Sequence, residues 1–182
     1  DLMTANGHLE EEITKVQKSQ SYAQPAQLFW NCGGTPAMGG FATVNSTKAG
    51  ADLFKPIVGR GSAYADIDGD GDLDVAFTQL HGKPLLLRND QALGNHWLRV
   101  KLTGKAANRD GVGAMLKLNS GETTQWRLVT AARSYLSQSE TVATFGLGQE
   151  AKQAELTVVW PGGEEQTVAV PKLDTTLVIE QP

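Results

Sequence analysis

A helical spacing of apolar residues occurs near the N-terminus. Leu9, Ile13 and Val16 stand at positions i, i+4 and i+7, with three acids near the start of the segment and Lys15 and Lys18 near its end. Asn6 precedes this stretch and is a residue type that often caps a helix N-terminus. The pattern therefore predicts a helix over residues 8–18.

Beyond residue 60 the pattern is that of short β-strands. Segments rich in β-branched, aromatic and aliphatic residues are separated by turn residues every ten or so positions. In one of them Leu98, Val100 and Leu102 alternate with polar or amphipathic neighbours. We predict strands at 62–65, 75–78, 85–88, 97–102, 114–118, 124–129, 156–160, 166–170 and 177–180, after an earlier strand at 28–31. Such a series indicates an all-β protein.

Composition excludes several classes of protein. The chain has 182 residues, 40% of them hydrophobic, and a formal net charge of −4, which is an ordinary balance for a folded globular protein. A single cysteine, Cys32, cannot form an intramolecular disulfide. We find no apolar run long enough to span a membrane and no basic cluster that would indicate a nucleic-acid partner. The first residues do not read as a signal peptide, so we expect a processed or excised chain.

Five of the 20 acidic residues fall within nine positions. They alternate with other residues and surround Gly71, whose freedom to adopt a positive φ suits a tight turn. Ca²⁺ takes six to eight oxygen ligands, and alternate acids on a short loop can wrap such an ion. By analogy with the ligand order of an EF-hand, we predict a calcium site in which four residues bind through side chains, the last of them directly or through water, and Asp72 binds through its backbone carbonyl. The predicted ligands are Asp66, Asp68, Asp70, Asp72 and Asp74.

The loop is not an EF-hand. Position 12 is Phe77, where an EF-hand has a bidentate glutamate, and strands are predicted on both sides of the loop. Mg²⁺ is less favoured because it prefers a small octahedral shell that retains water. An acidic, solvated turn without any ion is the main alternative. A catalytic role is the least favoured, since five like charges suit a cation better than a proton transfer.

A weak internal repeat suggests propeller blades. Asp1–Gly7 resembles Asp74–Gln79, and Gln27–Asn31 resembles Leu85–Asn89. Repeated units of a few strands separated by Gly-rich turns are typical of β-propellers. Since two copies cannot close a propeller, we expect the parent chain to continue toward its N-terminus.

These motifs together resemble known domains. The stretch leading into Asp66–Asp74 is similar to FG-GAP or VCBS repeats, the calcium-bearing blades of integrin-like propellers. The region after it resembles the ASPIC/UnbV domain of the cartilage acidic protein-like family. The resemblance implies secretion or export, where free calcium is abundant. Its motifs, in chain order, are Asn95–Leu98, Asn108–Ala114, Ser134–Gln138, Phe145–Gly148 and Trp160–Gly163.

Other candidate sites have weaker support. Asn108–Gly111 contains an Asp-Gly pair, so a plain turn is favoured over a ligand-facing loop. Tyr135–Gln138 combines an aromatic ring with small polar groups, and reads either as a contact surface for sugar or peptide or as an ordered loop. No nucleophile motif supports an enzyme. The histidines match no metal-binding spacing: His8, His81 and His96.

The sequence thus predicts two domains. Residues 1–92 would form truncated propeller blades with one calcium loop, and residues 94–182 an antiparallel β-sandwich. We predict an extracellular or envelope calcium-binding module for adhesion or protein–protein interaction, secreted or on a bacterial surface, with an unknown protein or glycan partner. A carbohydrate-binding accessory domain and a purely structural propeller cap are the alternatives.

Overall fold

The computed structural model describes residues 1–33, 40–105 and 108–182. These residues contain fifteen strands, two four-residue helices, α1 (Ile13–Val16) and α2 (Ser46–Ala49), and a 3₁₀ turn at Asp52–Phe54. The predicted all-β class is therefore confirmed. The strands are β1 Leu2–Thr4, β2 Gln27–Asn31, β3 Phe41–Val44, β4 Gly59–Ala65, β5 Asp74–Gln79, β6 Leu85–Leu87, β7 His96–Thr103, β8 Met115–Ser120, β9 Thr123–Leu128, β10 Ala132–Ser134, β11 Ser137–Gln138, β12 Ala143–Gly148, β13 Glu155–Val159, β14 Glu165–Ala169 and β15 Thr175–Glu180.

The strands form five sheets. Their orders are β1-β2-β3, β4-β5-β6, β10-β11, β12-β7-β15 and β14-β13-β8-β9. By compactness the chain divides into a first unit, comprising 1–64, 74–88 and 134–137, and a second unit, comprising 65–73, 89–133 and 138–182. The predicted domain boundary near residue 93 stays a prediction.

The first unit contains two three-stranded sheets. Within the predicted repeat, β1 pairs antiparallel with β2 and β5 pairs antiparallel with β6. A small core holds Ala26, Ile57 and Phe77. The Arg60 guanidinium donates hydrogen bonds to the carbonyls of Gly7, His8 and Gly59, which fastens the N-terminal segment to β4. The described residues show no closed sheet, so the propeller remains a prediction.

The second unit has one large apolar core. Buried side chains from β7, β12 and β15 join those from β8 and β13 in a single cluster that includes Phe145, Leu156 and Trp160. Two sheets that share one core are what a β-sandwich requires.

One pairing differs from the antiparallel prediction. β15 pairs parallel with β7 over Thr175–Glu180, whereas β12 pairs antiparallel with β7. Strand composition does not specify the direction of pairing, because the side-chain alternation is the same in both directions.

The predicted helix over residues 8–18 is wrong in extent. Only α1 forms, with Glu12 at its N-cap position. Leu9 and Val16 are 83% and 86% exposed and only Ile13 is partly buried, so too little of the apolar stripe packs to support a longer helix. Asn6 is not a cap, since its side-chain amide donates to the Pro25 carbonyl.

No helix among the described residues is long and apolar enough to cross a membrane.

Candidate metal centre

The acidic loop lies between β4 and β5. Asp66, Asp68 and Asp74 each offer a carboxylate oxygen, and these oxygens all lie within 4.8 Å of one another. Asp68 is exposed, whereas Asp74 is only 1% exposed at the start of β5. All three potential ligand atoms are carboxylate oxygens, the hard donor type that Ca²⁺ prefers. This donor set fits the predicted cation, and the calcium assignment itself stays a prediction.

Asp66 organises the backbone of the loop. Its Oδ1 accepts the N–H of Gly69 at 2.7 Å, and its Oδ2 accepts the N–H of Gly71 at 3.0 Å. Both glycines have positive φ angles, 80° and 95°. These turns fold the second half of the loop back toward Asp66.

Gly71 also lies against the ring of Trp97. A methyl group added at Gly71 would lie within 2.2 to 2.3 Å of three indole atoms of Trp97. The glycine is therefore required by packing as well as by its backbone angle. The sequence indicated the need for a positive φ at Gly71 but gave no indication of the contact with Trp97.

Two further predicted ligands lie outside the three-carboxylate group. Asp70 and Asp72 line a cleft of about 370 Å³, together with Trp97 and segment 90–95. The Oδ1 atom of Asp70 accepts the N–H of Asp72 at 2.9 Å. The structure thus gathers Asp66, Asp68 and Asp74, and turns Asp70 and Asp72 toward the cleft.

A buried arginine contacts the loop, and sequence reasoning missed it. Arg99, on β7, is 7% exposed, and its Nη1 lies 3.1 Å from Oδ2 of Asp66. Its Nη2 lies 2.6 Å from both carboxylate oxygens of Glu140. Oε1 of Glu140 also accepts the backbone N–H of Asp66 at 3.3 Å. Arg99 at a polar position of a core strand was a weak signal, and nothing in the sequence marked Glu140.

The other sequence candidates also have defined places. Val112 and Asn108 exchange hydrogen bonds across Asn108–Gly111, and Arg109 pairs with Asp110 at the surface, as the turn interpretation expects. The hydrogen bonds that Arg109 donates to the Asp110 carboxylate, followed by the negative charge of Asp110, raise the pKa of Arg109. His96 is not in the carboxylate group, and its Nδ1 lies 2.8 Å from Oδ2 of Asp174.

The Tyr135–Gln138 motif forms the turn and second strand of the β10–β11 hairpin. Tyr135 and Leu136 are 83% and 87% exposed, and Leu136 has a φ of 51°, a rare angle for a branched residue. Ser137 anchors this hairpin turn, because its hydroxyl accepts the Ser62 N–H and donates to the Tyr135 carbonyl.

The C-terminal part of the chain matches a known family model. Residues 104–182 match the family model described as ASPIC and UnbV. This confirms the predicted ASPIC/UnbV resemblance, whereas the FG-GAP or VCBS repeat before it stays a prediction.

Curated relatives extend the similarity beyond that region. In alignments of 133 positions that cover 68% of the chain, it is 33% identical to cartilage acidic protein 1 of Xenopus tropicalis, Mus musculus and Homo sapiens. These matches support homology to cartilage acidic protein 1. The chain spans about a fifth of the length of these relatives, since the alignments cover 19% to 20% of them.

Proposed function

We propose that this chain is a calcium-binding module of an extracellular or envelope protein that serves adhesion or protein–protein interaction. The observation that carries the proposal is the convergence of Asp66, Asp68 and Asp74 on one point of a strand–loop–strand unit. Cartilage, the tissue in the relatives' name, is largely extracellular matrix, which agrees with an extracellular location. Calcium would neutralise the loop and hold β4 and β5 in their relative positions.

The first unit would then be part of a propeller. Its two three-stranded sheets and its repeated strand pairs support FG-GAP or VCBS-type blades, and the acidic loop would be their calcium site. The second unit would be a β-sandwich. We infer a non-enzymatic role, because the clustered acids suit a bound cation better than proton transfer.

The hairpin turn at Tyr135 and Leu136 is the best candidate for a protein contact. An aromatic and an aliphatic side chain project from a backbone that Ser137 and Ser62 hold in place. Rare backbone angles at exposed positions are frequent at binding sites. Rigid presentation lowers the entropic cost of binding.

Calcium binding is tested by calorimetric titration of the ion-free protein and by thermal melts in chelator and in millimolar Ca²⁺. Calcium at ~100 times its dissociation constant should add about 2.7 kcal/mol of stability. Asp68→Asn and Asp74→Asn should weaken binding and reduce the melting shift. Asp52→Asn, which removes an exposed carboxylate paired with Lys55, is the matched control and should change neither.

Asp70→Asn separates two versions of the site. If only the three gathered carboxylates bind, this variant should keep most of the affinity, whereas a five-acid site predicts a clear loss. A wild-type chain that shows neither heat of binding nor a melting shift would reduce the loop to an acidic turn and refute the proposal.

Carbohydrate binding is the second candidate. Trp126 is 53% exposed on β9, and exposed indole rings are common sugar platforms. Binding to a glycan array that is lost in Trp126→Ala but retained in Leu128→Ala would favour it. Calcium-dependent stability without binding at any surface would favour a structural cap.

A further inference from the structure

We propose that Arg99 and Glu140 form a clamp that holds Asp66 in place and so preorganises the cation loop before an ion binds. Neither residue belongs to the carboxylate group or to the loop itself. The inference concerns how the site is built, and it rests on the proposed function only in naming calcium as the ion.

The clamp holds Asp66 at two points. Arg99 contacts its carboxylate at 3.1 Å, and Glu140 accepts its backbone N–H at 3.3 Å. Each of these groups is itself fixed, because Arg99 also binds Glu140 through Nη2 and donates from Nε to the Thr144 hydroxyl at 3.4 Å. Thr144 lies directly opposite Arg99 in the β12–β7 pairing. The loop is therefore tied to a sheet whose other face lies in the core.

Burial makes this arrangement more than a surface ion pair. The Asp66 side chain is fully buried, and the side chains of Arg99 and Glu140 are 9% and 18% exposed. Buried ions need full partnering, and the five donors of the planar arginine fork match two carboxylates better than the point charge of a lysine does.

Fixing Asp66 fixes the loop around it. The same carboxylate accepts the N–H groups of Gly69 and Gly71, so its position determines the path of the backbone that carries Asp68. A site that is already shaped has less ordering left to do when the ligand arrives. Residues that orient metal ligands in this way commonly change metal affinity by about 10- to 100-fold when mutated.

The test is Arg99→Lys, which keeps the positive charge on β7 and removes the forked contact. In the chelated protein, we expect amide exchange at Gly69 and Gly71 to become at least about tenfold faster than in wild type. In calcium titrations, we expect the dissociation constant to rise about tenfold. Glu140→Gln should act in the same direction, and the double variant should show less than the sum of the two effects, because both residues act through one network.

Arg127→Lys is the matched control. Arg127 also donates to β12, through the Thr144 carbonyl, and its guanidinium lies over the Phe145 ring. Its hydrogen bonds to the Trp126 carbonyl and the Gln125 side chain stay within β9, away from the loop. This change should lower the melting temperature and leave both loop exchange and calcium affinity as they are. A purely structural Arg99 would weaken the ion-free and ion-bound forms equally and would leave the dissociation constant unchanged.

The outcomes separate the two proposals. Unchanged exchange and unchanged affinity in Arg99→Lys would overturn the clamp, and so would an equal loss of affinity in Arg127→Lys. A wild-type chain that binds no calcium would overturn the proposed function, while the exchange rates in chelator would still decide the clamp.

Discussion

Arg99 lies on the face of β7 that the alternation assigns to polar side chains, and yet it is almost wholly buried. An unpaired guanidinium could not remain there, because burying an ion without partners costs several kcal/mol. Asp66 and Glu140 provide these partners through ion pairs with the Arg99 guanidinium. They lie 33 and 41 positions away in the chain, so only folding shows that these three residues meet.

At the same scale, Gly71→Ala should destabilise the protein by about 2 kcal/mol or more, measured by urea unfolding. The added methyl group would overlap the Trp97 ring, and alanine is strained at a φ of 95°. Gly69→Ala is the matched control. Its φ is 80°, but its methyl group would meet nothing within 4 Å, so it should show the backbone strain alone. Equal losses in the two variants would contradict the importance of the Trp97 contact.

Among the elements, strands were predicted far better than the helix. Each predicted strand from 62–65 to 177–180 overlaps an observed one, because alternation over a few residues already marks a buried face. Five strands were missed, being short or rich in glycine and small residues: β1, β3, β10, β11 and β12. The helix over 8–18 failed because its stability would depend on packing, and no packing surface covers it.

Asp174 joins two elements and gives a prediction about pH. It accepts the Trp97 N–H at 3.0 Å and lies 2.8 Å from the His96 ring, where β7 and β15 begin. Burial pushes the pKa of Asp174 upward, but hydrogen bonds from His96 and Trp97, with nearby positive charge, outweigh it and leave the pKa below its ordinary value. The ionised carboxylate therefore stabilises the fold above about pH 4, and this contribution is lost as the pH falls through the lowered folded-state pKa.

Asp174→Asn should remove that part of the pH dependence. Asparagine tolerates the φ of 54° at this position and keeps an acceptor for the Trp97 N–H. Unfolding free energies measured between pH 3 and 6 should then fall less steeply toward acid than in wild type. An unchanged slope would show that the pair contributes nothing, and Asp52→Asn is the surface control.

For the whole molecule, the charge is concentrated in one loop. The formal net charge is −4, and without the five loop acids the remaining 15 acidic and 16 basic residues would give +1. We expect repulsion among these acids to oppose folding of the ion-free loop, with Arg99 offsetting part of it through its ion pair with Asp66.

Salt should therefore act mainly on the ion-free form. In chelator, raising NaCl from ~0.05 to ~0.5 M should raise the melting temperature, because screening shortens the reach of the repulsion. If calcium binds the loop as proposed, the additional stabilisation that it gives should shrink over the same range. A calcium shift that does not depend on salt would argue against repulsion as the source of the effect.

Local pattern alone determined the all-β class, most strand positions and the acidic loop, because side-chain alternation and turn residues act over a few neighbours. The motifs within residues 95–163 likewise identified the ASPIC/UnbV region, since each of them is a short run of adjacent residues. Only the tertiary structure decided the parallel pairing of β15, the division of the loop acids into two groups and the burial of Arg99 beside Asp66 and Glu140. These features depend on contacts between distant parts of the chain, which no local pattern encodes.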